Sequence, residues 1–160
     1  MANIYQFQET EMNGQPIDFE TYRGKVLLLM NTASKCGFAP QLKGFEAMYQ
    51  EYHNQGLELL GLPSNQFHQE LSTDEETEDY CQVHYGVTFP MTKRIRVNGA
   101  GEDPLFAYLK AQTNSGRIKW NFTKFLINRD GTLIKRFPPR TTPEKMLPDV
   151  IAALNESNEG

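Results

Sequence analysis

Val26-Leu27-Leu28-Leu29-Met30, followed by the polar stretch Asn31-Thr32-Ala33-Ser34-Lys35-Cys36-Gly37, decides the reading of this chain. A run that is apolar on both faces fits a strand covered on both sides, in the middle of a sheet. The polar stretch ends it, and a helix is expected from about Pro40, because proline suits a first helical turn. Leu42, Phe45, Met48, Tyr49 and Tyr52 recur at helical spacing, and Gly56 closes the helix. Leu57 to Leu62 reads as a second core strand that Pro63 terminates. Two such strands joined through a helix predict parallel pairing.

Upstream, Ile4 to Gln8 alternates, Asn13-Gly14 is a turn signal, and Ile17-Asp18-Phe19 follows, so the N-terminus reads as a β-hairpin. Downstream, Asp74 to His84 reads as a helix carrying Cys81. Ile95-Arg96-Val97 reads as a short strand before the Asn98-Gly99 turn, and Pro104 to Gln112 as a short helix. Phe122–Asn128 and Thr132–Phe137 read as a hairpin around Asp130-Gly131, and Pro143–Leu154 as the last helix. The tail, about 155–160, is polar. Residues 1–160 are expected to form a single domain, with no repeat, linker or low-complexity tract.

The formal net charge is -4 with both signs interspersed, which gives no footprint for nucleic acid. Six carboxylates crowd Glu70 to Asp79 without a Lys or Arg, the pattern of a solvated helix face. No run approaches the roughly 20 apolar residues of a membrane span, and Met1 to Thr10 lacks the features of a secretory signal. The expectation is a cytoplasmic protein without stable membrane insertion. His53, His68 and His84 do not cluster at ligand spacing, so no metal site is expected.

The cysteines are two, Cys36 and Cys81. In a cytosolic chain of this size they are either inert buried thiols or a reactive pair. Cys36 lies between a core strand and a helix start, where unpaired N–H groups and the dipole favour thiolate, and Lys35 adds positive charge. From position alone, a reactive and an inert Cys36 stand equally open. Cys81 alone reads as a small core hydrophobe, the lone Trp120 as a core or interface residue, and Asn121 as a turn residue.

Four segments add specific information. Asn31 to Gly37, Gly61-Leu62-Pro63-Ser64-Asn65-Gln66-Phe67, Tyr85-Gly86-Val87-Thr88-Phe89-Pro90-Met91 and Ile118-Lys119-Trp120-Asn121-Phe122-Thr123-Lys124-Phe125-Leu126 resemble the signature blocks of glutathione peroxidases, in family order. The resemblance spans about residues 4–154. It implies an α/β, thioredoxin-like fold with a central mixed sheet flanked by helices, which the order of elements satisfies. It also implies a peroxide-reducing activity and an active-site tetrad of Cys36, Gln69, Trp120 and Asn121. Amide and indole N–H donors aimed at sulfur would stabilise the thiolate and the charge on the leaving oxygen.

In thioredoxin-dependent members of the family, a second thiol at the place of Cys81 resolves the sulfenic acid. The implied cycle therefore uses two cysteines and no prosthetic group, with thioredoxin favoured over glutathione as the reducing co-substrate. A one-cysteine, glutathione-dependent enzyme and a redox sensor of the same fold are the alternatives. Departures from the family pattern are also visible. Ser64 stands where many relatives carry cysteine, and His68-Gln69-Glu70-Leu71-Ser72 is shortened and lacks the Pro-Gly turn. Gln69 remains the best match to the family's glutamine, with Gln66 as the alternative. Family members that form tetramers carry an extra loop before the Trp-Asn block; Lys110 to Lys119 is short, so the resemblance implies a monomer or loose dimer.

Overall fold

Every residue of the strand Val26–Thr32 is buried, as a strand covered on both faces requires. The computed structural model describes residues 3–114 and 116–156. Its elements are β1 (Gln8–Thr10), β2 (Pro16–Asp18), β3 (Val26–Thr32), α1 (Gln41–Tyr52), β4 (Leu57–Pro63), α2 (Asp74–Tyr85), α3 (Pro104–Thr113), β5 (Lys124–Ile127), β6 (Leu133–Phe137) and α4 (Pro143–Asn155). Most of the expected polar tail, 157–160, lies outside the described residues.

The main sheet has the order β4-β3-β5-β6. β3 pairs parallel with β4 and antiparallel with β5, and β5 with β6 is antiparallel. The sheet is therefore mixed, as expected. Strand alternation sends Val26, Leu28 and Met30 to one face, where Leu42, Phe45 and Met48 of α1 and Met146, Val150 and Ala153 of α4 cover them. Leu27 and Leu29 face the other layer, with Leu105, Phe106 and Leu109 of α3. Both cysteines belong to the α1/α4 layer.

The N-terminal hairpin is present but lies further along the chain than the alternation suggests. Its strands are Gln8–Thr10 and Pro16–Asp18, while Ile4 and Tyr5 are buried in a turn and Phe19 opens a 3-10 helix. Ile95–Val97 is not a strand. Its backbone is satisfied piecemeal: Ile95 N–H donates to Pro63 O (2.8 Å), and Val97 N–H donates to the side-chain oxygen of Gln66. A side chain that occupies a backbone donor leaves no ladder to build.

Glu9 of β1 lies against Asp103, whose carboxylate caps α3 by accepting from Leu105 N at 3.1 Å. Burial, reinforced by Asp103, pushes the Glu9 carboxyl up to about 9. The folded protein thus keeps a proton that the unfolded chain releases above about 4.5. Stability from this group falls as pH rises through that window. Glu9→Gln donates as the protonated acid does and never ionises. It is expected to raise Tm by about 3 °C or more at pH 8 and by less at pH 5. Equal gains at the two pH values in thermal unfolding would show that Glu9 ionises freely in the native state.

Candidate active site

Asn31, near the end of β3, is where two of the signature segments meet. Its side-chain amide donates to Trp120 O (3.3 Å), and its side-chain oxygen accepts from Thr123 N (3.1 Å). Its backbone oxygen accepts from Phe122 N at 2.6 Å. These bonds clamp the Trp120–Thr123 turn to the strand that delivers Cys36. The turn itself is strained, because Phe122, a fully buried aromatic, sits at φ 66. A non-glycine residue there costs about 1–3 kcal/mol, and such strain persists only where the surroundings over-determine it.

The Gln69 segment is tied to the Cys36 loop from the other side. Lys35 N–H donates to Gln69 O (2.8 Å), and the Glu70 carboxylate accepts from Ser34 N (3.0 Å) and Leu71 N (2.8 Å). Phe67 packs on Trp120 with ring centroids 5.4 Å apart. The third segment joins through Gly61, whose N–H donates to Pro90 O at 3.1 Å. Glu46 of α1 holds the same segment by accepting from Thr88 N and Oγ1, at 2.7 and 2.6 Å. All four segments are thus bound to one end of the sheet.

Cys36 is buried at 4% exposure, and its sulfur accepts the N–H of Phe38 at 3.4 Å. It does not lie in the first turn of a helix, as its position suggested. A succession of tight turns, closed by Ala39 N–H to Cys36 O and Gln41 N–H to Phe38 O (both 2.9 Å), separates it from α1. Lys35, the expected neighbouring charge, is exposed. Trp120 is partly buried against the core layer that contains Cys36. Asn121 is fully buried, and neither its amide nitrogen nor its oxygen is bonded within the described residues. Gln69 is partly exposed and bonds through its backbone. Gln66 does not serve as its stand-in, because its side chain is spent on Val97 N, Asn98 N (3.0 Å) and Asn98 O (2.9 Å).

Cys81 is on α2 as expected, 2% exposed, with its sulfur 4.0 Å from Ser34 Oγ. Burial pushes its thiol up to about 11, against the Ser34 hydrogen bond and with the help of the Glu70 charge. Both cysteines are free thiols. α2 is well capped, by Thr73 Oγ1 accepting from Glu76 N (3.1 Å) and by Gly86 in the left-handed region at φ 65. The crowded carboxylates Asp74, Glu75 and Glu76 fall in its first turn, where the dipole favours them. Yet of its 12 residues only Thr77 and Cys81 are buried.

Sequence reasoning missed Asn31, Ser34, Glu70 and Lys124. Lys124 is completely buried in β5, between β3 and β6. A lysine within a strand flanked on both sides must be paired when buried, and that was the available signal. Among the described residues, no three metal-ligating side chains gather into a possible metal site. No helix among them is long and apolar enough to cross a membrane.

The family model for glutathione peroxidase matches residues 4–110. A glutathione peroxidase of Lactococcus lactis subsp. cremoris is 51% identical over 148 residues, 90% of this chain and 94% of that protein. A glutathione peroxidase-like peroxiredoxin of Schizosaccharomyces pombe is 46% identical, covering 96% of this chain and 100% of its own length. One from Saccharomyces cerevisiae is 44% identical, covering 98% and 99%. Among solved structures, Trgpx in its apo form has a TM-score of 0.80 at 36% identity, covering 97% of each chain. A putative thioredoxin from Neisseria meningitidis has a TM-score of 0.70 at 17% identity, covering 96% and 91%, a likeness of fold alone. On a thioredoxin-like fold, with its four signature segments gathered at one end of the sheet, the chain belongs to the glutathione peroxidase family of peroxide-reducing enzymes.

Proposed function

We propose that Cys36 is the peroxidatic thiol of this peroxidase, that Cys81 resolves its sulfenic acid, and that thioredoxin returns the pair to the reduced state. The observation that carries this reading is the buried, unbonded carboxamide of Asn121. A buried polar group without a partner costs about 1–3 kcal/mol, so a free amide donor is held in reserve. With Trp120 and Gln69 it supplies the N–H groups that close on sulfur and oxygen when peroxide binds. Catalytic hydrogen bonds commonly tighten only in the substrate complex.

The cycle balances with sulfur alone and needs no prosthetic group. Cys36 thiolate attacks one oxygen of hydrogen peroxide or an organic hydroperoxide. The O–O bond breaks, Cys36 becomes a sulfenic acid, and the leaving oxygen takes a proton as water or alcohol. Cys81 thiolate then attacks the Cys36 sulfur, expelling hydroxide, which is protonated to water, and forming a disulfide. A dithiol of thioredoxin reduces the disulfide by two exchanges and becomes oxidised itself. α2 unwinds locally so that the sulfurs meet. Its shallow packing keeps the cost of that opening low.

Thioredoxin is favoured over glutathione for a further reason. Of the basic residues Lys93, Arg94 and Lys119 that could meet glutathione's carboxylates, Arg94 is committed to Asp74 (3.2 Å) and Leu71 O (2.7 Å), while Lys93 and Lys119 are exposed. The two named peroxiredoxins among the relatives agree with this choice. The enzyme works as a monomer or loose dimer in the cytoplasm. Peroxide consumption measured in parallel with thioredoxin and its reductase, and with glutathione and its reductase, tests the reading. Thioredoxin should support faster turnover, and non-reduced peptide mapping after one equivalent of peroxide should find Cys36 linked to Cys81. Persistent sulfenic acid without that link, or turnover driven by glutathione alone, would sink the two-cysteine cycle. A trapped mixed disulfide with negligible turnover would favour the sensor.

A further inference from the structure

Two consecutive N–H groups of the Cys36 loop are accepted by two consecutive residues of the 65–71 segment. Ser34 N–H donates to Glu70 Oε1 at 3.0 Å, and Lys35 N–H donates to Gln69 O at 2.8 Å. The two bonds differ in kind, because a side chain makes the first. Glu70 is buried at 9% exposure, and no ion pair between described residues includes it. Its Oε1 also accepts from Leu71 N at 2.8 Å, while its Oε2 is buried without a partner. Burying a carboxyl group is costly unless its oxygens are bonded. This one is kept inside for two backbone donors, one adjacent and one 36 positions away.

Each bond has its own effect. The Leu71 bond folds the side chain back over its own peptide and fixes the direction of Oε1. The Ser34 bond ties that fixed point to the loop, two residues before Cys36. Other partners hold the rest of the segment. Asn65 closes the turn, its side-chain oxygen accepting from Glu70 N (3.2 Å) and its backbone oxygen from His68 N (3.0 Å), with His68 in the left-handed region at φ 59. Arg94 donates to Leu71 O at 2.7 Å. None of these bonds reaches the Cys36 loop. Gln69 bonds through its backbone, so the place of its carboxamide relative to sulfur depends on where the main chain on either side of it is held.

We infer that Glu70 is a positioning residue for the peroxidase reaction: through Oε1 it locks the main chain beside Gln69 to the Cys36 loop, and so sets the reach of the Gln69 carboxamide to the Cys36 sulfur. The inference rests on Cys36 and Gln69 having the roles proposed above. Glu70 itself touches neither peroxide nor sulfur. It acts by geometry, since an error of about an ångström in the place of a reacting group can cost on the order of a hundredfold in rate. A carboxamide at position 70 keeps the acceptor Oε1, and the Oε2 that it replaces bonds to nothing.

The test is a double-mutant cycle read at one step, the oxidation of Cys36 by peroxide in a single turnover, followed by mass at the Cys36 peptide. Gln69→Ala should slow that step about a hundredfold, and Glu70→Ala about tenfold. The double variant should be no slower than Gln69→Ala alone, because Glu70 then has nothing left to place. Losses that multiply to about a thousandfold would give Glu70 an effect independent of Gln69 and overturn the inference. Glu70→Gln should restore the rate to within about twofold of wild type, and a loss equal to that of Glu70→Ala would overturn the inference too. Hydrogen exchange supplies a second measurement that does not use activity. In Glu70→Ala the N–H groups of both Ser34 and Lys35 should exchange at least about tenfold faster. A faster Ser34 beside an unchanged Lys35 would mean that Glu70 only satisfies a buried donor, and would overturn the clamp. Peroxide that leaves Cys36 unoxidised in the wild type, or Gln69→Ala at the wild-type rate, would instead sink the reading on which the inference rests, and the inference with it.

Discussion

Cys36→Ser is expected to lower peroxide consumption by at least about a thousandfold with any reductant. A serine hydroxyl stays protonated at neutral pH and cannot be oxidised by peroxide to a species that Cys81 could attack. The amide donors of the proposed site would favour a thiolate and give no comparable help to an alcohol. The fold should survive the change. Ser is smaller than Cys by little, Cys36 sits in a turn rather than a strand, and the N–H of Phe38 can donate to Oγ as it does to sulfur. Tm within about 3 °C of wild type, with activity at background, would separate a lost nucleophile from a lost fold. Residual turnover above about one per cent would move the chemistry to another group.

Cys81→Ser should split the cycle rather than abolish it. One equivalent of peroxide should still disappear at close to the wild-type rate, because Cys81 is not needed for the first step. Steady turnover with thioredoxin should fall at least about a hundredfold, and a sulfenic acid at Cys36 should accumulate, to be captured by dimedone and read by mass. The resting state of Cys81 sharpens this expectation. With its thiol pushed up to about 11, Cys81 stays protonated at neutral pH while α2 is folded. In the proposed cycle, resolution would therefore proceed from the opened helix, where the thiol leaves the apolar layer and Ser34. Unchanged thioredoxin-coupled turnover in Cys81→Ser would return the enzyme to a one-cysteine scheme.

The parts of the fold legible in the sequence are those in which one local signal had no competitor. The Val26–Met30 run fits a covered strand and is one, and Asp130-Gly131 marks the β5–β6 connection. Legibility failed where a side chain took over a backbone role. Gln66 reaches Val97 and Asn98 across more than thirty positions and removes the donors that a strand would need. The helix after Cys36 begins at Gln41, where the sequence places it, but the tight turns that lead into it, which keep Cys36 clear of its first turn, carry no sequence signal. In the candidate site, Cys36, Trp120 and Asn121 were conspicuous by context, whereas Lys124 reads as an ordinary polar break in an apolar stretch. Only the knowledge that β5 is flanked on both sides makes it a buried cation. Asn31 and Glu70 are equally plain in sequence, and their roles exist only through chains of bonds to distant segments.

In the two-cysteine cycle proposed above, the shallow packing of α2 sets a race. While a sulfenic acid at Cys36 waits for the helix to open, a second peroxide can reach it and drive it to the sulfinic state, from which a thiol cannot recover it. Each turnover is divided between repair and self-inactivation according to how soon Cys81 arrives. Extra apolar residues on the α2 face would make a more heat-resistant protein, and one more quickly poisoned by its own substrate. In that cycle a helix that buries only Thr77 and Cys81 would set how much peroxide the enzyme survives.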